Sequence, residues 1–112
     1  MAAKDSVLPI ALSSFAGTSL STAYQAINAT GFTKSCILIR LINDTNKDLT
    51  VSHDGTNNHD FVQAGETLQL PIQSNLLPAT GVAQFKKGTV IYIKSDASGT
   101  GTAYLSGYYQ DN

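Results

Sequence analysis

The stretch Cys36–Ile72, CILIRLINDTNKDLTVSHDGTNNHDFVQAGETLQLPI, decides the fold. Its apolar runs are short, and Asn43-Asp44-Thr45-Asn46, Asp54-Gly55-Thr56-Asn57-Asn58 and Ala64-Gly65 cut them at regular intervals. Asn and Asp bond their own local backbone, and Gly reaches positive φ without a Cβ penalty, so such clusters form turns. Short apolar runs between turns predict strands rather than helices. Cys36–Ile42 is apolar on both parities apart from Arg40, which predicts a central strand covered on two faces. Asn43–Lys47 then reads as a turn, and Leu49–His53 as the hairpin partner of that strand, with Leu49 and Val51 inward.

Working outward, Asp60–Gln63 is a short strand and Thr67–Ile72 another, with Leu68 and Leu70 on one face. Gln73–Val82, holding Pro78 and Gly81, reads as a loop crossing the domain before Ala83-Gln84-Phe85. Thr89–Lys94 alternates, Ser98–Gly101 is a turn, and Thr102–Gln110 is a closing strand. Towards the N-terminus, Val7–Phe15 suits an edge strand or arm, because Pro9 cannot donate to a central ladder. Leu20–Asn28 fits both helical spacing and period two, and its Ser and Thr content favours strand. The expected fold is all-β, an antiparallel β-sandwich or jelly-roll-like domain of seven to nine short strands with an N-terminal arm. Residues 1–34 are the arm and first strands packed on the core, and 35–112 the sandwich core of what is one domain.

Composition narrows function. The 112 residues are 42% hydrophobic and only 13% charged, with a net charge of −1, so the surface is polar but not ionic. No field of one sign is present to steer nucleic acid or anionic lipid, and little keeps copies of the chain apart. Lys86-Lys87 is the single adjacent basic pair and reads as a solvated turn, so neither nucleic acid nor membrane is an expected partner. The lone cysteine, Cys36, rules out an intrachain disulfide. Val7–Leu12 is too short and too interrupted by Pro9 for a signal-peptide core, which points to synthesis in a cytoplasm without export.

Several residues invite chemistry. His53-Asp54 and His59-Asp60 flank one short connection and are weak candidate metal ligands. Their spacing matches no zinc finger and the loop brings no third histidine, so turn residues between strand ends are the better account. Asp44–Asp48 begins like a calcium loop but has Leu49 where the sharp glycine is needed. Cys36 opens an apolar run, which disfavours its thiolate, and no base or orienting acid can be placed beside it. No enzyme and no cofactor are therefore expected. Arg40 interrupts the most apolar strand and needs either an internal ion pair or an intersubunit contact. Tyr104 and Tyr108 share one parity and Tyr109 takes the other, so these tyrosines and Arg40 are interface candidates. Asn28-Ala29-Thr30 and Asn43-Asp44-Thr45 are glycosylation sequons.

The segments Leu41–Gly55, His59–Val62 with Ala64-Gly65, Gly88–Ile93 and Gly99–Tyr109 together resemble a family of small bacteriophage virion structural proteins, head, neck or tail accessory components with a β-sandwich fold. The resemblance covers about Ser35 to Tyr109 and rests on turn motifs, with no catalytic residue to transfer. It implies a virion component; joined to the near-neutral surface, the expectation is a homo-oligomeric capsid decoration or a head–tail connector or fibre-joining component, located in the virion after synthesis in the host cytoplasm. Its partners would be copies of itself and other virion proteins. The alternative from the residues is a carbohydrate-binding, receptor-binding module whose exposed tyrosines stack on a glycan.

Overall fold

Nine strands follow one another along the described chain: β1 (Val7–Pro9), β2 (Ser13–Ala16), β3 (Gln25–Ala26), β4 (Leu38–Thr45), β5 (Leu49–Ser52), β6 (Asp60–Val62), β7 (Thr67–Pro71), β8 (Tyr92–Lys94) and β9 (Gly101–Gln110). The computed structural model describes residues 7–71 and 85–110, and the loop expected over Gln73–Val82 with Ala83-Gln84 lies outside that range. The strands form two antiparallel sheets, a β-sandwich as expected. In the front sheet, β4 lies between β7 and β9, and β9 carries β1 and β2 along its other edge. In the back sheet the order is β3, β8, β5, β6.

The hairpin expected between Cys36–Ile42 and Leu49–His53 does not form. β4 pairs only within the front sheet and β5 only within the back sheet, so the chain crosses the sandwich between Thr45 and Leu49. The reason is that Asn43 and Thr45, turn formers by type, point inward and satisfy each other. Thr45 Oγ1 donates to Asn43 Oδ1 at 2.6 Å, and Asn43 Nδ2 donates to the carbonyls of Lys47 (2.7 Å) and Val62 (3.2 Å). Asn43 is 1% exposed, so a bond lost there would leave buried polar groups unpaired. With both side chains satisfied inside, the strand continues through the expected turn and pairs as far as Thr45 with Gly101.

β4 also corrects the expectation of a strand covered on both faces. Ile39, Leu41, Asn43 and Thr45 are buried, while Leu38, Arg40 and Ile42 on the other parity are half-buried and Asp44 is exposed. Inward residues of both sheets make the core: Ile39, Leu41, Ala103 and Leu105 from the front, Leu49, Val51, Val62, Ile91 and Ile93 from the back region. Each large aliphatic side chain fully removed from water contributes about 1.5–3 kcal/mol. Leu20, Ile27 and Phe32 belong to the same cluster, so the N-terminal third fills the one core.

Less of Leu20–Asn28 is strand than expected. Only Gln25–Ala26 pairs: before it the chain bends at Thr22-Ala23, where Ser21 Oγ accepts from Ala23 N–H at 3.2 Å, and after it Asn28 bonds the β8 approach, accepting from Ile91 N–H at 2.7 Å and donating to Thr89 O at 3.1 Å. Between β1 and β2 the three residues Ile10, Ala11 and Leu12 face two on β9, Gly107 and Ser106, which makes a β-bulge. The bulge seats Ile10 beside Gly107, where a Cβ would press on the Ile10 and Cys36 side chains, and leaves Leu12 58% exposed.

Candidate functional site

The connection from β5 to β6 holds the four weak metal candidates, and its bonds are spent internally. Asp54 Oδ1 accepts from Ser52 Oγ (2.8 Å) and from the backbone N–H of Thr56 (2.8 Å) and Asn57 (2.9 Å), while Oδ2 accepts from Asn57 Nδ2 (2.8 Å). Those donors, the Asn57 and Thr56 amides first, hold the Asp54 carboxyl well below the ordinary carboxylate range. His59 Nδ1 accepts from His53 N–H at 2.9 Å. His53 Nε2 lies 3.2 Å from Asp60 Oδ2, and its ring packs edge-on to His59 and stacks on Phe85. Among the described residues no group of three or more His, Cys, Asp and Glu side chains converges. His53 and Asp60 make one pair, Asp54 serves the loop, and His59 holds the loop to the end of β5.

Cys36 is 0% exposed, burial pushes its thiol pKa up, and its sulfur donates to Lys34 O at 3.5 Å. The two sequon asparagines are both buried and bonded through their amides, Asn28 to Thr89 and Asn43 to Lys47 and Val62. Neither amide stands open for modification in the folded chain.

The outward face of the back sheet is covered around Ser52 and Tyr92 by its own loop. Ser52 is buried beneath that loop, donating to Asp54 and accepting from Gly55 N–H at 2.8 Å. Gly55, at φ +81°, lies against the Tyr92 ring, and the Tyr24 hydroxyl donates to Asn58 Oδ1. Lys94 Nζ stands 4.5 Å from the Tyr24 ring centre, a cation–π contact. In register beside Lys94 come Thr50 and then Phe61, which is 55% exposed. Phe61 separates two recesses: a polar cleft of about 390 Å³ lined by Asn46, Lys47, Asp48, Thr50, Ser95 and Asp96, and one of about 380 Å³ lined by Thr50, Asn58, His59 and Asp60.

The outward face of the front sheet is different in kind. Register places Leu38 beside Tyr108, Arg40 beside Ser106, Ile42 beside Tyr104 and Asp44 beside Thr102. Arg40 Nε donates to Ser106 Oγ at 3.3 Å, and among the described residues no carboxylate lies within ion-pair distance of its guanidinium. The internal ion pair is thus the branch of the Arg40 expectation that the described residues do not supply. A shallow, mainly apolar groove of about 310 Å³ runs across this face past Leu12, Tyr104, Ile42, Asp44 and Gly65. Of the interface candidates, Arg40, Tyr104 and Tyr108 therefore share one face. Tyr109 does not, and the Lys34 ammonium lies 5.3 Å from its ring centre.

Two exposed residues escaped the sequence reading. Phe61 could have been found from parity, since Val62 beside it points inward. Leu12 could not, because the bulge that exposes it leaves no local mark. No protein-family model, no curated protein and no solved structure matches this chain.

Proposed function

We propose that this chain is a non-enzymatic structural component of a bacteriophage virion, a homo-oligomeric capsid decoration or a head–tail or fibre-joining protein that works through protein–protein contacts. The observation that carries the reading is the front face: Leu38, Ile42, Tyr104 and Tyr108 stand half-buried in one outward layer, with the exposed Leu12 beside them. Soluble monomers rarely expose contiguous apolar and aromatic surface unless a partner covers it. The low charge agrees, since a net charge of −1 opposes assembly little. Of the turn motifs that resemble virion proteins, Asp54–Asn58 is a loop and Asn46–Asp48 the crossover, while Asn43–Thr45 is strand.

The test is quantitative mass spectrometry of gradient-purified particles from cells that make this protein from its native genome, joined to native mass spectrometry of the purified chain. The reading expects the protein in the particles at a fixed copy number and a homo-oligomer in isolation. Absence from particles, together with a strictly monomeric chain, overturns it.

A second reading is favoured by one observation, the exposed Phe61 ring between two polar recesses on the back sheet. An aromatic platform flanked by amides, hydroxyls and carboxylates is the chemistry that stacks on a sugar and bonds its hydroxyls. In this reading the module binds a glycan as a receptor-binding part. Its stacking residue is Phe61, because Tyr108 lies half-buried on the other face. A glycan array with wild type and Phe61→Ala decides: sugar binding that Phe61→Ala abolishes supports it, and no signal from wild type removes it.

A further inference from the structure

Along β4 the outward side chains run Leu38, Arg40, Ile42, Asp44, so one cation and one anion stand at equal distances on either side of Ile42. The neighbouring strand β9 repeats this symmetry in size and polarity. Tyr104 lies level with Ile42, and Ser106 and Thr102, both small hydroxyl residues, lie level with Arg40 and Asp44. On the next strand Ser14 is level with Tyr104 and the exposed Ala16 is level with Thr102. Continued through the bulge, the same β2 register sets the exposed Leu12 level with Ser106. Among the described residues, Arg40 and Asp44 are the only charged side chains that β2, β4, β7 and β9 direct to this face.

We propose that this face is the interface with a second copy of the chain, the two front sheets packing face to face about a two-fold axis that passes over Ile42. The axis lies between the sheets and across the strands. It reverses strand direction and sets Arg40 of each copy against Asp44 of the other, so the one attraction occurs twice. Ile42 and Tyr104 meet their own counterparts, and Leu12 of one copy comes over the small Ala16 of the other. An axis parallel to the strands would instead set Arg40 against Arg40 and Asp44 against Asp44, which like-charge repulsion forbids. Self-complementarity of this kind is what an isologous interface requires. Aligned sheet packing at about 10 Å separation brings facing side chains into contact. Arg40 is prepared for it: its Nε is held by Ser106, which fixes the side chain and leaves the Nη donors for a partner carboxylate.

This inference rests on the homo-oligomeric reading above and names its contact. The experiment is sedimentation velocity over a concentration series for wild type, Arg40→Asp, Asp44→Arg and the double reversal, with circular dichroism confirming the fold. Arg40→Gln and Asp44→Asn, which remove charge without reversing it, accompany them. Wild type is expected to form a dimer. Each single reversal, meeting like charges twice, weakens it by about 100-fold or more, each neutral variant by about tenfold, and the double reversal returns to within about tenfold of wild type. A wild type that stays monomeric overturns the inference, as does a dimer insensitive to the reversals or a double reversal no better than the singles. Presence in purified particles is scored separately: a monomeric chain that is nevertheless in the particle fails this interface and leaves the virion reading standing.

Discussion

The two outward faces are built from similar strands and end in opposite conditions. On the back sheet, a loop folds over one end of the strands and consumes what that end offers, while Phe61 stays exposed at the other: Ser52 is buried under the loop, Tyr92 packs on Gly55, Tyr24 bonds Asn58, and Lys94 sits on Tyr24. On the front sheet, Leu38, Ile42, Tyr104 and Tyr108 form an outward apolar layer around an arginine whose hydrogen bond goes to a serine. A face that satisfies its own groups belongs to the monomer's stability. A face that keeps apolar area and an available guanidinium is the one we propose a partner covers.

The contrast can be broken most strongly on the back sheet. Gly55→Val places a β-branched residue at φ +81° with its Cβ about 3.3 Å from the Tyr92 ring, and is expected to cost about 3 kcal/mol of unfolding free energy in urea. A change below about 1 kcal/mol would mean the loop is not anchored there. Ser52→Ala is the next effect, about 2 kcal/mol, since it removes the acceptor of the Gly55 and Asp54 amides and one donor to the Asp54 carboxylate beneath the loop.

Asp54 gives a pH signature of the same closure. Its folded carboxyl is held below the unfolded value near 3.8, so its stabilisation is fully present above that value and is lost as pH falls towards the folded one. Urea melts between pH 5 and pH 2 should therefore lose stability more steeply for wild type than for Asp54→Ala, and parallel lines would show that the loop bonds are not made. The smallest effect belongs to the front sheet: Leu12→Ser should change monomer stability by less than about 0.5 kcal/mol, measured below the association range. A larger loss would place Leu12 in the monomer's own packing.

How far the sequence carried differs by element for physical reasons. The strands at Leu49–Ser52, Asp60–Val62 and Thr67–Pro71 were legible, because each alternates between turn residues whose backbone demands are local. Which sheet each strand joins was not. Asn43-Asp44-Thr45 has turn chemistry, yet Asn43 and Thr45 point inward and spend that chemistry on each other and on Lys47, so the chain runs straight and then crosses sheets. The loop nature of Asp54–Asn58 was legible from Asp54-Gly55. The uncovered face of β4 was not, since apolar residues on both parities look the same whether the second cover is a layer of the same chain or another molecule.

The most direct test of the central claim compares the two faces by proximity. A single cysteine is introduced as Ile42→Cys on the front sheet or as Phe61→Cys on the back sheet, Cys36 staying inert at 0% exposure, and each protein is treated with a short bismaleimide. Efficient covalent dimer is expected from Ile42→Cys and none above background from Phe61→Cys. Dimer from Phe61→Cys alone, or from neither protein at concentrations where wild type self-associates, would contradict that claim.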